Sequence, residues 1–134
     1  MIKIQEENFD IEKEVNEIKC LHKNVGAVSN FIGYVRNTNN NKKVNSIEIE
    51  VYRDMALKSL NTICKKASEK WNLLDFLVIH RFGKLEVNEK IVLVSTFSMH
   101  RQDSDEACNY IMNFLKKDAP FWKKEFYNKE VKWL

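Results

Sequence analysis

The sequence predicts a single α+β domain over residues 1–134, with a mostly antiparallel sheet and two or three packed helices. Segments rich in β-branched and aromatic residues occur before and after two long amphipathic segments, which favours strands on either side of helices. A chain of 134 residues fits one domain. The composition is 44% hydrophobic and 31% charged, which is ordinary for a globular protein and excludes disorder.

The first elements are a short strand and a helix. Ile2 and Ile4 alternate with polar residues, as in a strand. A helix is expected from Asp10, with one apolar side formed by Ile11, Val15, Ile18 and Leu21.

Two further strands are expected over residues 25–36 and 44–52. The polar stretch between them, NTNNNKK at residues 37–43, is interpreted as a mobile loop. The sequence therefore predicts that these two strands pair with each other across a flexible connection.

The second half of the chain predicts a helix, two strands and a last helix. Asp54 is the expected cap of the first helix, whose buried side holds Leu57, Leu60, Cys64, Ala67 and Trp71. Strands follow at 73–81 and 90–97, separated by a turn at Gly83 and a polar bend at 87–89. The last helix carries Ala107, Tyr110, Ile111, Phe114 and Leu115 on one side and should stop before Pro120.

Three isolated cysteines, Cys20, Cys64 and Cys108, form no CxxC or Cys/His cluster. We expect each to be a small buried hydrophobic residue, so no disulfide framework, zinc site or other metal or cofactor is predicted. The N-terminal residues mix acids with lysines, and no apolar run approaches the ~20 residues that span a bilayer. The expected location is the cytoplasm.

Candidate anion-binding residues lie at strand ends. His100 and Arg101 stand where a strand passes into a helix, and the N-terminus of a helix favours anions such as phosphate. The alternative for this pair is local capping or a surface ion pair. Arg36 ends the strand that begins at Val25 and either turns into a cleft or is solvated.

The strongest local feature is LKKDAPFWKKE at residues 115–125, where lysine pairs flank an Ala-Pro-Phe-Trp turn. The helix dipole alone would favour Lys116 and Lys117 near a helix end. The turn and its aromatic walls would also let Lys116 and Lys123 converge. A desolvated lysine beside another cation has a lowered pKa and can act as nucleophile or general base.

Five ordered segments resemble the large, catalytic subunit of molybdopterin synthase, the MoaE family. They are GAVSNFIGYVRN at 26–37, IEVYRDMALKSL at 49–60, VIHRFGKL at 78–85, MHR at 99–101 and LKKDAPFWKKE at 115–125. The resemblance covers roughly residues 25–133 and implies an α/β-hammerhead-like fold.

The resemblance implies that the protein transfers sulfur to cyclic pyranopterin monophosphate to form the molybdopterin dithiolene. The sulfur arrives as a thiocarboxylate on the C-terminal Gly-Gly of a small ubiquitin-like subunit. The family's catalytic lysines match Lys116 and Lys123, and its precursor-binding Arg, His and Arg match Arg36, His100 and Arg101, with both lysines also in the substrate pocket. The implied assembly is a heterotetramer, a dimer of large subunits with one small subunit at each end, and it involves neither nucleic acid nor membrane.

The sequence departs from the family at two places. Arg53 and Asp54 stand where relatives often have Pro-Gly. Relatives also continue beyond Leu134 into a basic tail, and any contribution of that tail is expected to be either absent here or supplied by Lys129 or Lys132.

Two other functions compete with the enzyme. Residues 114–134 hold six lysines against three acidic residues, interleaved with Phe121, Trp122, Tyr127 and Trp133. Such a region could bind anions or stack on single-stranded RNA without catalysis, although no RNA-binding signature is present. The second rival is a structural subunit that has lost catalysis, against which the retained lysines argue.

Overall fold

The computed structural model describes residues 1–127 and 130–134. The helices are α1 (Ile11–Lys19), α2 (Arg53–Trp71) and α3 (Arg101–Lys117). The strands are β1 (Ile2–Gln5), β2 (Ala27–Tyr34), β3 (Thr38–Asn39), β4 (Lys42–Lys43), β5 (Ser46–Val51), β6 (Asp75–Arg81), β7 (Gly83–Glu86), β8 (Lys90–Ser98), β9 (Phe121–Phe126) and β10 (Val131–Trp133). Within these described ranges, no helix is long and apolar enough to cross a membrane.

The strands form two four-stranded sheets and a small hairpin. The first sheet has the order β1-β6-β8-β2, and only its β1–β6 pair is parallel. The second has the order β10-β9-β5-β7 and is antiparallel throughout. The predicted α+β class with a mostly antiparallel sheet and three helices is confirmed.

Both faces of the first sheet are covered, which explains the apolar run in β6. Leu77 and Ile79 face one cluster with Phe9 and Ile18 from the α1 side, while Val78 belongs to the larger cluster beneath α2 and α3. A strand buried on both faces loses the alternation of a half-exposed strand.

The sequence placed helices α1 and α2 correctly along the chain, but each prediction was wrong about one residue at an end of the helix. Asp10 caps α1 by accepting a hydrogen bond from the Lys13 backbone N–H at 3.1 Å. Leu21 is 71% exposed because α1 ends at Lys19, so Leu21 lies beyond the helical stripe. The α2 side chains Leu60, Cys64 and Ala67 are fully buried as expected.

Asp54 does not cap α2. The N-cap is Tyr52, which makes no side-chain capping bond, and the helix starts at Arg53. Asp54 therefore lies inside the first turn, where its negative charge still favours the positive end of the helix dipole. At the other end of the chain, α3 ends at Lys117, ahead of Pro120 as predicted.

The predicted pairing of residues 25–36 with 44–52 is wrong. β2 pairs with β8 at the edge of the first sheet, whereas β5 lies inside the second sheet between β7 and β9. The connection is not simply a loop, since β3 and β4 form a hairpin around Asn40 and Asn41, both with positive φ. Gly83 likewise begins strand β7 rather than a turn, while the polar bend at 87–89 is present.

Candidate active site

Lys123 lies on the core-facing side of β9. The register pairs Lys123 with Ile49 and Glu125 with Ile47. Residues opposite each other in a ladder point to the same face of the sheet. Because Ile47 and Ile49 are buried, the Lys123 side chain is directed inward and is itself half-buried. A lysine therefore occupies a position where the strand pattern calls for an apolar residue.

Burial lowers the pKa of the Lys123 amine, and the nearby Arg36 guanidinium lowers it further. Glu125 opposes part of this shift. A lysine shifted in this direction has a larger neutral fraction near pH 7, and the neutral amine is the form that acts as base or nucleophile. The structure thus brings together two of the predicted site residues, Arg36 and Lys123.

A buried carboxylate, Glu125, lies two residues from Lys123 on the same face of β9. Its side chain is 5% exposed. Its Oε1 accepts hydrogen bonds from the Asn39 amide at 2.7 Å and the Tyr127 hydroxyl at 2.5 Å. Asn39 belongs to the β3–β4 hairpin, so this carboxylate ties the hairpin to the strand that carries the lysine.

His80 forms an aromatic pair beside the same strand. Its ring stacks on Phe121 with 3.8 Å between centroids and 18° between planes. Burial is the main cause that lowers the pKa of His80 to about 4, opposed by its bond to the Arg81 carbonyl and assisted by the charge of Lys123. His80 is therefore a neutral imidazole at physiological pH.

The buried His80 predicts an acid-sensitive fold. An unfolded histidine titrates at about 6.5, so between pH 6.5 and 4 the unfolded chain binds a proton that the folded chain excludes. The free energy of unfolding should fall as the pH drops through this window, with His80 contributing about 3 kcal/mol in all. Denaturant titrations from pH 7 to 4 measure this loss.

A His80→Phe chain should lose less stability over the same pH interval than the wild type. His100 is exposed, so His100→Gln serves as the control and should keep the wild-type slope. Equal slopes for His80→Phe and the wild type would contradict a neutral, buried His80.

His100 and Arg101 stand at the opposite end of α3 from Lys116. His100 is the N-cap and makes no side-chain capping bond, and both side chains are exposed. Neither forms an ion pair with any residue that the structure describes. Arg101 and Lys116 are separated by roughly 22 Å along the helix axis at 1.5 Å per residue. One chain therefore does not bring all five predicted site residues into one small pocket.

The junction before α3 depends on Gly26. Its backbone N–H donates to the Ser98 carbonyl at 2.9 Å, and a Cβ added to Gly26 would lie 2.1 Å from the Met99 carbonyl oxygen. Such a contact forces the backbone next to His100 to move. Gly26→Ala should lower the free energy of unfolding by about 1–3 kcal/mol, measured by urea titration.

Gly33→Ala is the matched control for Gly26→Ala. A Cβ there meets the Val92 Cγ1 atom at 3.0 Å, and a side-chain methyl can shift where a backbone carbonyl cannot. Similar urea midpoints for Gly26→Ala and the wild type would refute the close approach at Met99.

Lys116 and Lys132, two of the remaining predicted residues, are exposed. Lys116 lies in the last turn of α3, and its convergence with Lys123 stays a prediction. Lys132 is exposed in β10, and Lys129 lies outside the described residues.

The two buried cysteines, Cys64 and Cys108, are poorly suited to carry sulfur. Burial raises the pKa of Cys64 to about 12 and that of Cys108 to about 11, so both remain protonated, poorly nucleophilic thiols. Cys20 is exposed, contrary to prediction, because it caps the C-terminal end of α1 and does not join its apolar side.

Sequence reasoning gave no role to His80 or Glu125 and missed strand β9, although it named Phe121 as an apolar wall beside the lysines. In the segment FWKKEF, residues 121–126, the side chains of Phe121, Lys123 and Glu125 point inward and the residues between them point outward. Two of the three inward positions are charged, so a hydrophobic pattern cannot reveal the strand. The signal available in the sequence was a pair of charged residues at the two-residue spacing of a strand, after a proline turn, where a strand usually has apolar residues.

Comparison with known proteins gives one family. A family model described as MoaE protein matches residues 4–118. A molybdopterin synthase catalytic subunit from Ralstonia nicotianae is 42% identical over 133 residues, covering 99% of this chain and 76% of the relative. One from Pseudomonas aeruginosa is 40% identical, covering 99% of this chain and 89% of the relative.

Solved structures agree with the sequence comparison. The chain matches a molybdopterin biosynthesis MoaE protein from Burkholderia ambifaria with a TM-score of 0.87 and 35% identity, covering 100% of this chain and 88% of that one. It matches the crystal structure of molybdopterin synthase from Staphylococcus aureus with a TM-score of 0.90 and 32% identity, covering 98% and 95%.

Proposed function

The chain belongs to the MoaE family, and from this premise we propose that it is the catalytic subunit of molybdopterin synthase. It transfers sulfur from the C-terminal thiocarboxylate of a small ubiquitin-like subunit to cyclic pyranopterin monophosphate, forming the molybdopterin dithiolene. The observation that carries the proposal is Lys123, a half-buried amine with a lowered pKa beside Arg36. The expected cytoplasmic location remains a prediction from the sequence.

Lys123 performs the acid–base or nucleophilic step, together with Lys116. A neutral amine can take up a proton, or it can attack the carbonyl carbon of the partner's C-terminus and expel the sulfur towards the precursor, after which water must cleave the resulting amide. In either case nearby cations stabilise the negative charge that develops. Arg36, His100 and Arg101 hold the precursor and its phosphate. Each thiocarboxylate sulfur forms a bond to a carbon of the precursor, and water then cleaves the bond between that sulfur and the small subunit, whose C-terminus is left as an ordinary carboxylate.

The length of α3 supports an active site shared by two copies. His100 and Arg101 lie too far from Lys116 of their own chain to hold one small substrate with it. The homodimer that the family resemblance implies resolves this, because a second copy can supply the anion-binding end of α3 to the lysines of the first.

The edge strand β2 supports one arrangement of that dimer. Its sequence AVSNFIGY has no charge and no proline, and it exposes Phe31 (41%) and Tyr34 (49%). Exposed edges without charges or proline favour pairing with another strand. Antiparallel pairing of β2 with its own copy sets the start of one strand, near His100 and Arg101, against the end of the other, near Arg36.

The contacts of the aromatic residues argue against an RNA-binding module. Phe121 stacks on His80, and Tyr127 donates to Glu125, so both serve internal contacts. Trp133 lies under the Lys124 ammonium, 4.5 Å from its ring centroid. Trp122 and Trp133 are each 50% exposed, but the ring of Trp133 already contacts Lys124, and Trp122 alone does not form a stacking platform.

The fate of the thiocarboxylate tests the proposal. The chain is mixed with a thiocarboxylated small subunit and the precursor, and the mass of the small subunit's C-terminus is followed over time. Conversion of the thiocarboxylate to carboxylate should require both the chain and the precursor. Conversion at the same rate without the chain would contradict the proposal, and strongly salt-dependent RNA binding in its place would favour the non-catalytic module.

A further inference from the structure

The motif VIHRFGKL at residues 78–85 holds two buried polar side chains, and only one is explained by the fold. Arg81 is 6% exposed. Its Nε donates to the Glu6 carbonyl at 2.9 Å and its Nη1 to the Lys90 carbonyl at 3.1 Å, so it joins three segments of backbone. His80 makes no comparable bridge, although it is 5% exposed.

One hydrogen bond fixes the chemical form of His80. Its Nδ1 lies 2.8 Å from the Arg81 carbonyl oxygen. Because a carbonyl can only accept, Nδ1 carries the hydrogen and Nε2 carries the lone pair. The ring is therefore held in one tautomer and one orientation, with its face against Phe121.

Phe121 connects His80 to the lysine. Phe121 and Lys123 are two residues apart on β9 and so share its core-facing side. The buried His80 ring that stacks on Phe121 therefore lies on the same side of β9 as Lys123, near enough for the charge of Lys123 to lower the pKa of His80. The ionisable groups around this lysine are Arg36 after β2, Glu125 on β9 and His80 on β6.

We propose that His80 is a positioning residue for Lys123, an imidazole held against Phe121 that forms the inner wall of the lysine site and excludes water from it. Its bearing on catalysis depends on the proposed function, but its effect on Lys123 does not. Removing this wall should hydrate the amine and raise its pKa towards that of an exposed lysine.

The protonation of Lys123 can be measured without any substrate. The folded chain is labelled with a trace of acetic anhydride at a series of pH values, and the acetylation rate of each lysine is read by mass spectrometry after digestion. Only the neutral amine reacts, so the midpoint of the rate against pH reports the pKa of that lysine. Exposed Lys117 serves as the internal reference.

His80→Asn, which lacks the ring, should move the Lys123 midpoint up towards that of Lys117. If the Lys123 midpoint rises by one pH unit, the acetylation rate of Lys123 should fall about tenfold at any pH below both midpoints. The rate is expressed as a fraction of its own plateau at high pH. His80→Phe keeps an aromatic wall and should retain the wild-type midpoint. A thermal unfolding transition shows whether His80→Asn is folded, and His80→Gln replaces it if no transition is seen.

An unchanged Lys123 midpoint in the folded ring-less variant would overturn the proposal, as would an equal change of midpoint in His80→Phe. The pH profile of product formation gives a second measure, because the acid limb should move to higher pH with the Lys123 midpoint. Failure to make product would refute the enzyme while leaving the labelling result intact, so the two failures are distinguishable.

Discussion

A Lys123→Ala chain is expected to form product at least about 10²-fold more slowly than the wild type. The mutation removes the half-buried amine that faces the core side of β9, and no lysine on the outer face can replace it. The rate is measured as dithiolene formed from the precursor and a thiocarboxylated small subunit under single-turnover conditions. The rate should rise with pH up to the lowered pKa of Lys123, because the neutral amine is the active form.

Lys124→Ala is the matched control for this substitution. Lys124 is the next residue on the same strand, but it points outward, with its Nζ 3.6 Å from a Glu50 carboxylate oxygen. Its loss should change the rate less than about threefold, since its partly exposed ion pair with Glu50 lies on the face of β9 away from Lys123 and such pairs contribute little. A Lys123→Ala chain that keeps the wild-type rate would remove Lys123 from the mechanism.

The second large effect is recovery of activity by mixing two inactive chains. Arg101→Ala lacks a phosphate-binding group and Lys123→Ala lacks the amine, so each should be nearly inactive alone. If one site uses Arg101 of one copy and Lys123 of the other, a mixed dimer contains one intact site. Equal mixing should then restore about a quarter of the wild-type activity, because half of the dimers are mixed and half of their sites are intact.

Two mixtures control the recovery. A double mutant carrying both substitutions, mixed with Lys123→Ala, should restore nothing because no chain supplies the lysine. In the second control, Lys123→Ala is mixed with Lys124→Ala. The activity of this mixture should not exceed that contributed by the Lys124→Ala chains. Absence of recovery on mixing Arg101→Ala with Lys123→Ala, with mixed dimers demonstrated by native mass spectrometry, would contradict a site that combines Arg101 of one copy with Lys123 of the other.

Much of the fold was predictable where local signals agree with packing. Asp10 begins α1, Pro120 follows the end of α3, and the apolar residues of α2 point into the core. The apolar runs of β6 and β8 also identify the centre of the first sheet. In these elements, the residue that favours the local structure is also the one that the core requires.

The division into two sheets was not predictable from these signals. The residues of β2 and β5 favour strands equally well, and nothing local indicates that one pairs with β8 and the other with β7 and β9. Strand pairing between distant segments depends on the whole topology. The hairpin at Asn40 and Asn41 was missed for a related reason, since its polar composition is equally typical of a loop.

The candidate site was predictable only in part. The resemblance selected Lys123 and Arg36, which do lie close enough for one charge to shift the pKa of the other. It gave no role to His80 or Glu125, because their importance comes from burial beside Lys123. The charged inward positions of β9 concealed the strand from pattern analysis, although the lysine pairs marked residues 115–125 as the strongest local feature.

The most direct test of the central claim is formation of the dithiolene itself. Wild-type chain, thiocarboxylated small subunit and cyclic pyranopterin monophosphate are combined, and the product is identified by mass with Lys123→Ala alongside. We predict product containing two new sulfurs from the wild type, with a rate at least about 10²-fold lower from Lys123→Ala. No product from the wild type, with the small subunit bound to it, would contradict the assignment of this chain as the catalytic subunit.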